Sequence, residues 1–236
     1  MVAAAHPRCA PRQLPRRHSS ARSPCETGAI VISESARDGD FGFNLLCVLK
    51  KFVTLGAAMP KMLNFGCADV QPEGWVNLDI LDCGQQYVAN ILDGLPFDAD
   101  HFDCVVANHV FHSFSWDDLT ESALPELRRV LRPGGVLRVI DMDPVKAFKY
   151  YDAGDAAALV IPDEWERTID GKFCQYLTWY GTRKNICTST YLQELLTGAE
   201  FSHVTIQSPG HTIYESTDII ELDSRPTESY IVEARK

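Results

Sequence analysis

Three residues suited to ligand binding or proton transfer stand at or directly after short apolar runs of the sequence: Gly66, Asp79 and His109. A glycine lets the backbone turn sharply and lets a ligand approach it closely. An acid at the end of the second strand of a nucleotide-binding unit accepts hydrogen bonds from a ribose diol. A histidine titrates near neutral pH, so it can accept a proton from a hydroxyl group or position that group.

The spacing between Gly66 and Asp79 narrows the class of ligand. It is 13 positions, whereas a dinucleotide-binding fingerprint places its acid roughly 20 residues after the glycines. Residues 67–74 contain Pro72 and Gly74 and leave little room for a full crossover helix. The spacing therefore argues against a nicotinamide dehydrogenase and disfavours a nucleotide-sugar or dinucleotide enzyme.

The elements that must position these residues are visible as alternating strand-like and helical patterns. Apolar runs typical of strands cover residues 61–65, 75–80, 103–108, 136–141, 204–208 and 229–234. Helical spacing of apolar residues covers 116–131, and a second helix is predicted over 189–198. Strands that alternate with helices predict an α/β protein with a parallel sheet.

The first 58 residues have a different composition from the remainder. Residues 1–23 are rich in Arg, Pro and Ser, contain no acidic residue and show no apolar periodicity, which predicts disorder. We therefore expect a disordered extension over 1–58 and one domain over 59–236. Three interpretations of this extension remain open. It is a start codon assigned too far upstream, a targeting peptide, or a true accessory segment. Residues 41–56 could form a short helix, too short to span a membrane.

Composition excludes several function classes. The net charge of -10 argues against a nucleic acid as the main partner, since phosphate binding needs a dense basic face. The eight cysteines form no CxxC pair and no zinc-ligand spacing with histidine, so we expect reduced thiols, a cytoplasmic location and no disulfide framework. No metal site is predicted, because carboxylates at ligand spacing are lacking.

Four segments, in this order, resemble the class I S-adenosylmethionine-dependent methyltransferases. They are KMLNFGCAD (61–69), WVNLDI (75–80), VANILDGLPF (88–97) and HFDCVVANHV (101–110). QPEGWVNLD (71–79) is similar to the PGW-(I/V)-N-(V/L)-D strand of a small branch of that family. LRPGGVL (131–137) and the C-terminal residues 222–236 also resemble the family, so that the resemblance covers about 59–236.

The resemblance implies a Rossmann-like, doubly wound and mostly parallel sheet with an antiparallel last strand, and S-adenosylmethionine as cofactor. It implies the following contacts: Gly66 and Cys67 at the glycine turn, Asp79 at the ribose, the side chain of Asn90 and the backbone of Ile91 at the adenine, and Asn108 beside the transferring methyl group. The chain departs from the family pattern in that Ala68 replaces a glycine and Asn90 an acid. His112 and Ser113 stand where relatives usually carry Glu and His.

These residues predict a methyltransferase that acts on an oxygen or nitrogen atom of a small-molecule acceptor, such as a sugar or a secondary metabolite. His109 is the candidate catalytic residue, as a base or as a group that positions the acceptor; a packed strand-end histidine is the alternative. Asp141 and Asp143 could face the acceptor, and the aromatic segment 145–187 could line its pocket or form a satellite core. A non-catalytic protein that binds S-adenosylmethionine or S-adenosylhomocysteine is the alternative function.

Overall fold

The computed structural model describes residues 60–223 and 225–236. The predictions for the extension over 1–58, including the short helix over 41–56, lie outside these residues. None of the helices in the described part of the chain is long and apolar enough to cross a membrane.

A seven-stranded sheet forms the centre of the domain. Its strands are β1 (Met62–Phe65), β2 (Val76–Asp79), β3 (Tyr87–Val88), β4 (Phe102–Asn108), β5 (Leu131–Met142), β6 (Ser202–Gln207) and β7 (Ser229–Arg235). They lie in the order β3-β2-β1-β4-β5-β7-β6. The pairs from β3 to β5 are parallel, and β7 runs antiparallel to both β5 and β6. The order 3-2-1-4-5 is that of a Rossmann sheet, which confirms the predicted fold, including the antiparallel last strand.

The central strands are apolar because both of their faces are covered. In β4, the side chains from Phe102 to Ala107 are buried, and those of alternate parity enter two separate core clusters. Val105 and Ala107 face the larger cluster, and Cys104 and Val106 face the smaller one. Burial of these strands fixes their register, so that the carboxyl ends of β1, β2 and β4 meet at one edge of the sheet.

Four α-helices accompany the sheet: α1 (Leu124–Val130), α2 (Pro144–Asp152), α3 (Ile169–Thr178) and α4 (Ser189–Gly198). The predicted helix over 116–131 is present without interruption over 116–130, and its middle, Asp118–Ala123, is a π-helical segment that leads directly into α1. Pro125 explains this departure from α-helical hydrogen bonding, since it has no N–H group to donate to the preceding turn. Leu131 already belongs to β5, where it pairs with Phe102. The helix predicted over 189–198 is α4.

Helices α2 and α3 pack on each other beside the end of β5 and form a third core cluster. Met142, Ala147, Leu159, Ile161 and Tyr176 are its buried members. The ring of Tyr151 stacks on Phe173 with their centroids 4.5 Å apart. Part of the aromatic segment 145–187 is therefore satellite core, and the remainder faces the cavity described next.

Candidate active site

A cavity of about 850 Å³ opens where β1, β2 and β4 end. Its first half, called here the cofactor half, is lined by Gly66, Ala68, Asp79, Ile80, Leu81, Asn90, Ile91 and Leu92. Its second half, called the acceptor half, is lined by His109, His112, Phe114, Trp165, Trp179, Tyr180, Arg183, Lys184 and Arg225. The volume is that of an ordinary small-molecule site.

The turn after β1 depends on glycine at position 66. Gly66 has a φ of 74°, in the left-handed region, and a Cβ at this position would overlap the side chain of Val110. The N–H groups of Gly66 and Cys67 both donate to the carbonyl oxygen of Leu78, at 2.8 and 3.1 Å. These bonds tie the turn to β2 and leave Gly66 in the cavity wall.

The carboxylate of Asp79 is held by the backbone and still faces the cavity. Its Oδ2 accepts a hydrogen bond from the N–H of Ala68, and its Oδ1 accepts one from the N–H of Leu81, both at 2.9 Å. An ionised carboxylate has about four acceptor positions, so that two remain for a ligand. Asp79 can therefore accept hydrogen bonds from a diol without moving.

Asn90 and Ile91 line the same half, at the start of a short 3-10 turn, Ile91–Asp93. Oδ1 of Asn90 accepts from the N–H of Leu92, and its Nδ2 donates to Asp93, each at 3.2 Å. The side chains of Ile80, Leu81 and Leu92 are exposed although they are apolar. They form an apolar slot beside Asp79 that suits a flat purine ring.

Two of the predicted cofactor contacts, Cys67 and Asn108, do not line the cavity. Cys67 is buried beneath the glycine turn. Asn108 has the parity of Cys104 and Val106, and its Nδ2 donates to the carbonyl oxygen of Leu222 at 2.7 Å. The structure thus brings Gly66, Asp79, Asn90, Ile91 and His109 together around one cavity and places the other two behind its wall.

His109 is held in a constrained position in the acceptor half. Its φ is 55°, its N–H donates to the carbonyl oxygen of Ile140 at 2.7 Å, and its Nε2 shares a 2.8 Å hydrogen bond with Oγ of Ser229. Burial lowers the pKa of His109 from 6.5 to about 3, although the nearby carboxylate of Asp141 acts in the opposite direction. His109 is therefore a neutral imidazole at physiological pH.

A second histidine, His112, is paired with a buried carboxylate. Its Nδ1 lies 2.7 Å from Oδ1 of Asp141, and its backbone N–H donates to Oδ2 of the same carboxylate at 3.0 Å. Burial acts to raise the pKa of Asp141, but the charge and hydrogen bond of His112, with the N–H of Met142, outweigh it and hold this pKa well below its usual range. Since ionised Asp141 only accepts, Nδ1 of His112 donates, and in the neutral imidazole Nε2 is the acceptor.

Sequence reasoning noted the two residues of this pair separately but did not predict their contact. Asp141 follows an apolar run and His112 lies in a loop 29 positions earlier, so nothing local connects them. The contact requires that β4 and β5 be neighbours, with Asn108 opposite Ile140. That pairing brings the loop after β4 onto the end of β5.

Comparison with known proteins agrees with the resemblance seen in the motifs. A family model described as a methyltransferase domain matches residues 49–139, a range that holds β1 to β4, α1, most of β5 and most of the cavity wall. The matched residues of the chain therefore form part of a methyltransferase domain. S-adenosylmethionine is the cofactor of this domain.

A probable methyltransferase of Aspergillus luteorubrus is 42% identical over 52 residues, which are 22% of this chain and 18% of that protein. The aligned part therefore spans less than a fifth of that relative's length.

Two solved structures have a similar chain course. An S-adenosylmethionine-dependent methyltransferase from Archaeoglobus fulgidus is 15% identical, with a TM-score of 0.49 over 80% of this chain and 92% of that one. Another, from Mesorhizobium loti, is 18% identical, with a TM-score of 0.46 over 75% and 91%.

The cofactor half of the methyltransferase domain fits S-adenosylmethionine. Asp79 keeps acceptor capacity for a ribose diol after its two backbone contacts, and the apolar slot beside it accommodates an adenine ring. Gly66 provides backbone that a methionine chain can lie against. The contacts themselves remain predictions.

Only one group of possible metal ligands occurs among residues 60–223 and 225–236 of the methyltransferase domain. It consists of His109, His112 and Asp141, whose donor atoms lie within 4.8 Å of one another. Nδ1 of His112 and Oδ1 of Asp141 are hydrogen bonded to each other, and Nε2 of His109 is hydrogen bonded to Oγ of Ser229. The expectation that the protein uses no metal stays a prediction.

Proposed function

We propose that the protein transfers a methyl group from S-adenosylmethionine to an oxygen or nitrogen atom of a small-molecule acceptor, such as a sugar or a secondary metabolite. The observation that carries this proposal is the hydrogen-bonded pair His112–Asp141. Its histidine lines the same cavity as Gly66 and Asp79. A hydroxyl acceptor must lose its proton as it is methylated, and an oriented histidine can take it.

Each predicted contact has a role in this proposal. Asp79 binds the ribose, Gly66 lets the cofactor lie against the turn, and Asn90 and Ile91 hold the adenine through side chain and backbone. Cys67 supports the turn from below. Asn108 ties the end of β4 to Leu222 and so fixes the start of the loop that carries both histidines.

The acceptor half supplies proton transfer and orientation. When bound, S-adenosylmethionine supplies an electrophilic methyl carbon, to which the acceptor atom bonds while the sulfur keeps the electron pair of the broken bond. Nε2 of His112 receives the acceptor's proton, and ionised Asp141 stabilises the imidazolium that forms. His109, kept neutral and bonded to Ser229, positions the acceptor instead of acting as its base. Holding the two reactants in line supplies much of the rate enhancement.

The test is a screen of hydroxyl and amine acceptors for release of S-adenosylhomocysteine, followed by comparison of His112→Gln with His203→Gln. His203 is exposed and lies outside the cavity lining, so it serves as the matched control. We expect His112→Gln to lower kcat by roughly 10²-fold to 10⁴-fold for a hydroxyl acceptor, without loss of S-adenosylhomocysteine binding. An unchanged rate and pH profile in His112→Gln would refute the assignment of the base.

A non-catalytic protein that binds S-adenosylmethionine or S-adenosylhomocysteine is the second candidate function. Ala68 has a φ of 45° where the family pattern has glycine, and both polar groups of the Asn90 side chain are already hydrogen bonded. Both features favour a site altered from the catalytic pattern. Cofactor binding with no product from any acceptor would support this candidate over the enzyme.

We also propose a cytoplasmic protein whose main partner is neither a nucleic acid nor a membrane. The net charge of -10 supports the first exclusion. Cys67, Cys104, Cys174 and Cys187 are free thiols among the described residues, as suits a reducing compartment.

A further inference from the structure

The charge of the acceptor half is opposite to that of the whole chain. Three basic side chains, Arg183, Lys184 and Arg225, line it, whereas the chain carries a net charge of -10. Among the described lining residues Asp79 is the one carboxylate, and it belongs to the cofactor half. Arg225 is partly neutralised by Glu228, at 3.2 Å. Arg183 and Lys184 form no ion pair with any described residue.

Arg183 is the best-held cation of the three. Its guanidinium carbon lies 5.3 Å from the ring centroid of Tyr176 and 5.4 Å from that of Trp179, and its Nη1 donates to the carbonyl oxygen of Tyr176. Its Nε is buried and has no hydrogen-bond partner within the described part of the chain. A buried, charged donor without a partner is costly to leave unsatisfied. Arg183 as a whole is only partly buried and lines the cavity, so its positive charge acts on an anionic ligand there.

The segment that presents Arg183 also presents two flat aromatic walls. Trp179, Tyr180 and Gly181 follow one another with φ values of 41°, 56° and 84°. Successive aromatic residues in the left-handed region are strained, and such strain is typically kept where it orients functional groups. The rings of Trp165 and Tyr180 meet edge to face at 5.5 Å, although both are nearly half exposed. These exposed rings at the cavity are suited to covering a planar molecule.

We propose that the acceptor is a planar, aromatic molecule that carries a carboxylate, and that Arg183 binds this carboxylate as the specificity-determining residue. Trp165, Trp179 and Tyr180 contact the ring, and Lys184 and Arg225 add positive charge. The hydroxyl or amine group to be methylated then faces His112. This inference rests on the proposed function, because it assigns the substrate class of the same site.

The experiment measures binding of aromatic carboxylates to the full chain saturated with S-adenosylhomocysteine. The probes are benzoate, hydroxybenzoates and hydroxycinnamates, each paired with its uncharged amide, and tryptophan fluorescence and calorimetry report binding. We expect at least one carboxylate to bind roughly 10-fold to 100-fold more tightly than its amide, as a charge-assisted hydrogen bond implies. If no carboxylate of the panel binds better than its amide, the proposal is overturned.

Single substitutions test whether Arg183 causes the preference for a carboxylate over its amide. Arg183→Gln should abolish the preference for the carboxylate and leave the affinity for S-adenosylhomocysteine unchanged, whereas Arg128→Gln, which removes an arginine on α1 outside the cavity, should keep both. Because Arg183 also bonds to Tyr176, its variant could unfold, so Lys184→Gln provides a second variant at an exposed side chain and should reduce the preference. A preference that persists in both folded variants contradicts the proposal.

The outcomes separate this inference from the proposed function. If S-adenosylhomocysteine binds and carboxylates do not, only the substrate class is wrong. If carboxylates bind through Arg183 but none is methylated, the anion site stands and the catalytic function fails.

Discussion

The two histidines of the acceptor half show how position decides the chemistry of one residue type. His109 is half-buried, kept neutral and hydrogen bonded through Nε2 to Ser229, whereas His112 donates through Nδ1 to ionised Asp141. The sequence predicted His109 as the candidate because it follows a strand directly. His112 could not be preferred from sequence, since the carboxylate that orients it comes from a different strand.

The depressed pKa of His109 makes a prediction about stability. Its pKa falls from 6.5 in the unfolded chain to about 3 in the folded protein, so the unfolded state binds the proton first as the pH decreases. Its contribution to stability is thus complete above pH 6.5 and declines as the pH falls from 6.5 toward 3. The slope should be at most about 1.4 kcal/mol per pH unit.

Denaturant unfolding between pH 7 and pH 4.5 checks this, a range chosen because the carboxylates titrate mainly below it. His109→Asn keeps a residue that tolerates positive φ and removes the titrating group, so its stability should decline less steeply than that of the wild type. His203→Gln, which alters an exposed histidine, should follow the wild type. Parallel curves for His109→Asn and the wild type would show that His109 is not desolvated.

At the scale of elements, the turn after β1 links the fold to the site. Gly66 and Gly74 both have positive φ, at 74° and 81°, but a Cβ at Gly66 would overlap Val110, whereas a Cβ at Gly74 would meet no described atom within 4 Å. A residue with a side chain would therefore be conformationally strained at both positions, but it would collide with a neighbour only at position 66.

This difference predicts unequal effects of the same substitution. Gly74→Ala should cost about 1 kcal/mol of unfolding free energy from strain alone. Gly66→Ala should cost about 1–3 kcal/mol more, because Val110 must move in a packed wall, and should also weaken S-adenosylhomocysteine binding. Thermal unfolding and calorimetry of both variants measure the two effects. Equal losses in the two variants would mean that Val110 yields freely.

Most strands and the second helix were predictable from sequence because their buried apolar residues follow one another in recognisable runs or at helical spacing. The runs for β1, β2, β4 and β7 match the structure to within one residue at each end, whereas β5 starts five residues and β6 two residues earlier than predicted. The strand β3 was missed, since Tyr87–Val88 is too short to produce a pattern and both residues are exposed. The helix predicted over 116–131 ends one residue early, at Val130, and the prediction did not include its π-helical segment, although Pro125 lacks an N–H group there.

At the scale of the whole molecule, a single sheet edge collects residues that are distant in sequence. Gly66, Asp79 and Asn90 come from the first strands, His112 meets Asp141 from β5, and Arg183 arrives from the segment after α3. The sequence predicted the first three as a group because the family motifs keep their order and spacing. The cationic acceptor half could not be predicted, since an overall charge of -10 conceals a local cluster of basic residues.

The central claim is that the edge formed by Gly66 and Asp79 binds the cofactor. Calorimetric titration of the full chain with S-adenosylhomocysteine tests it most directly, with NAD as the competing ligand class. The matched variants are Asp79→Ala and Asp69→Ala; Asp69 is exposed on the adjoining loop and does not line the cavity.

We expect micromolar binding of S-adenosylhomocysteine and none of NAD. Binding should weaken by about 1–3 kcal/mol in Asp79→Ala and stay unchanged in Asp69→Ala, with both variants shown to be folded. Equal affinity in Asp79→Ala and the wild type, or binding of NAD in place of S-adenosylhomocysteine, would contradict the claim.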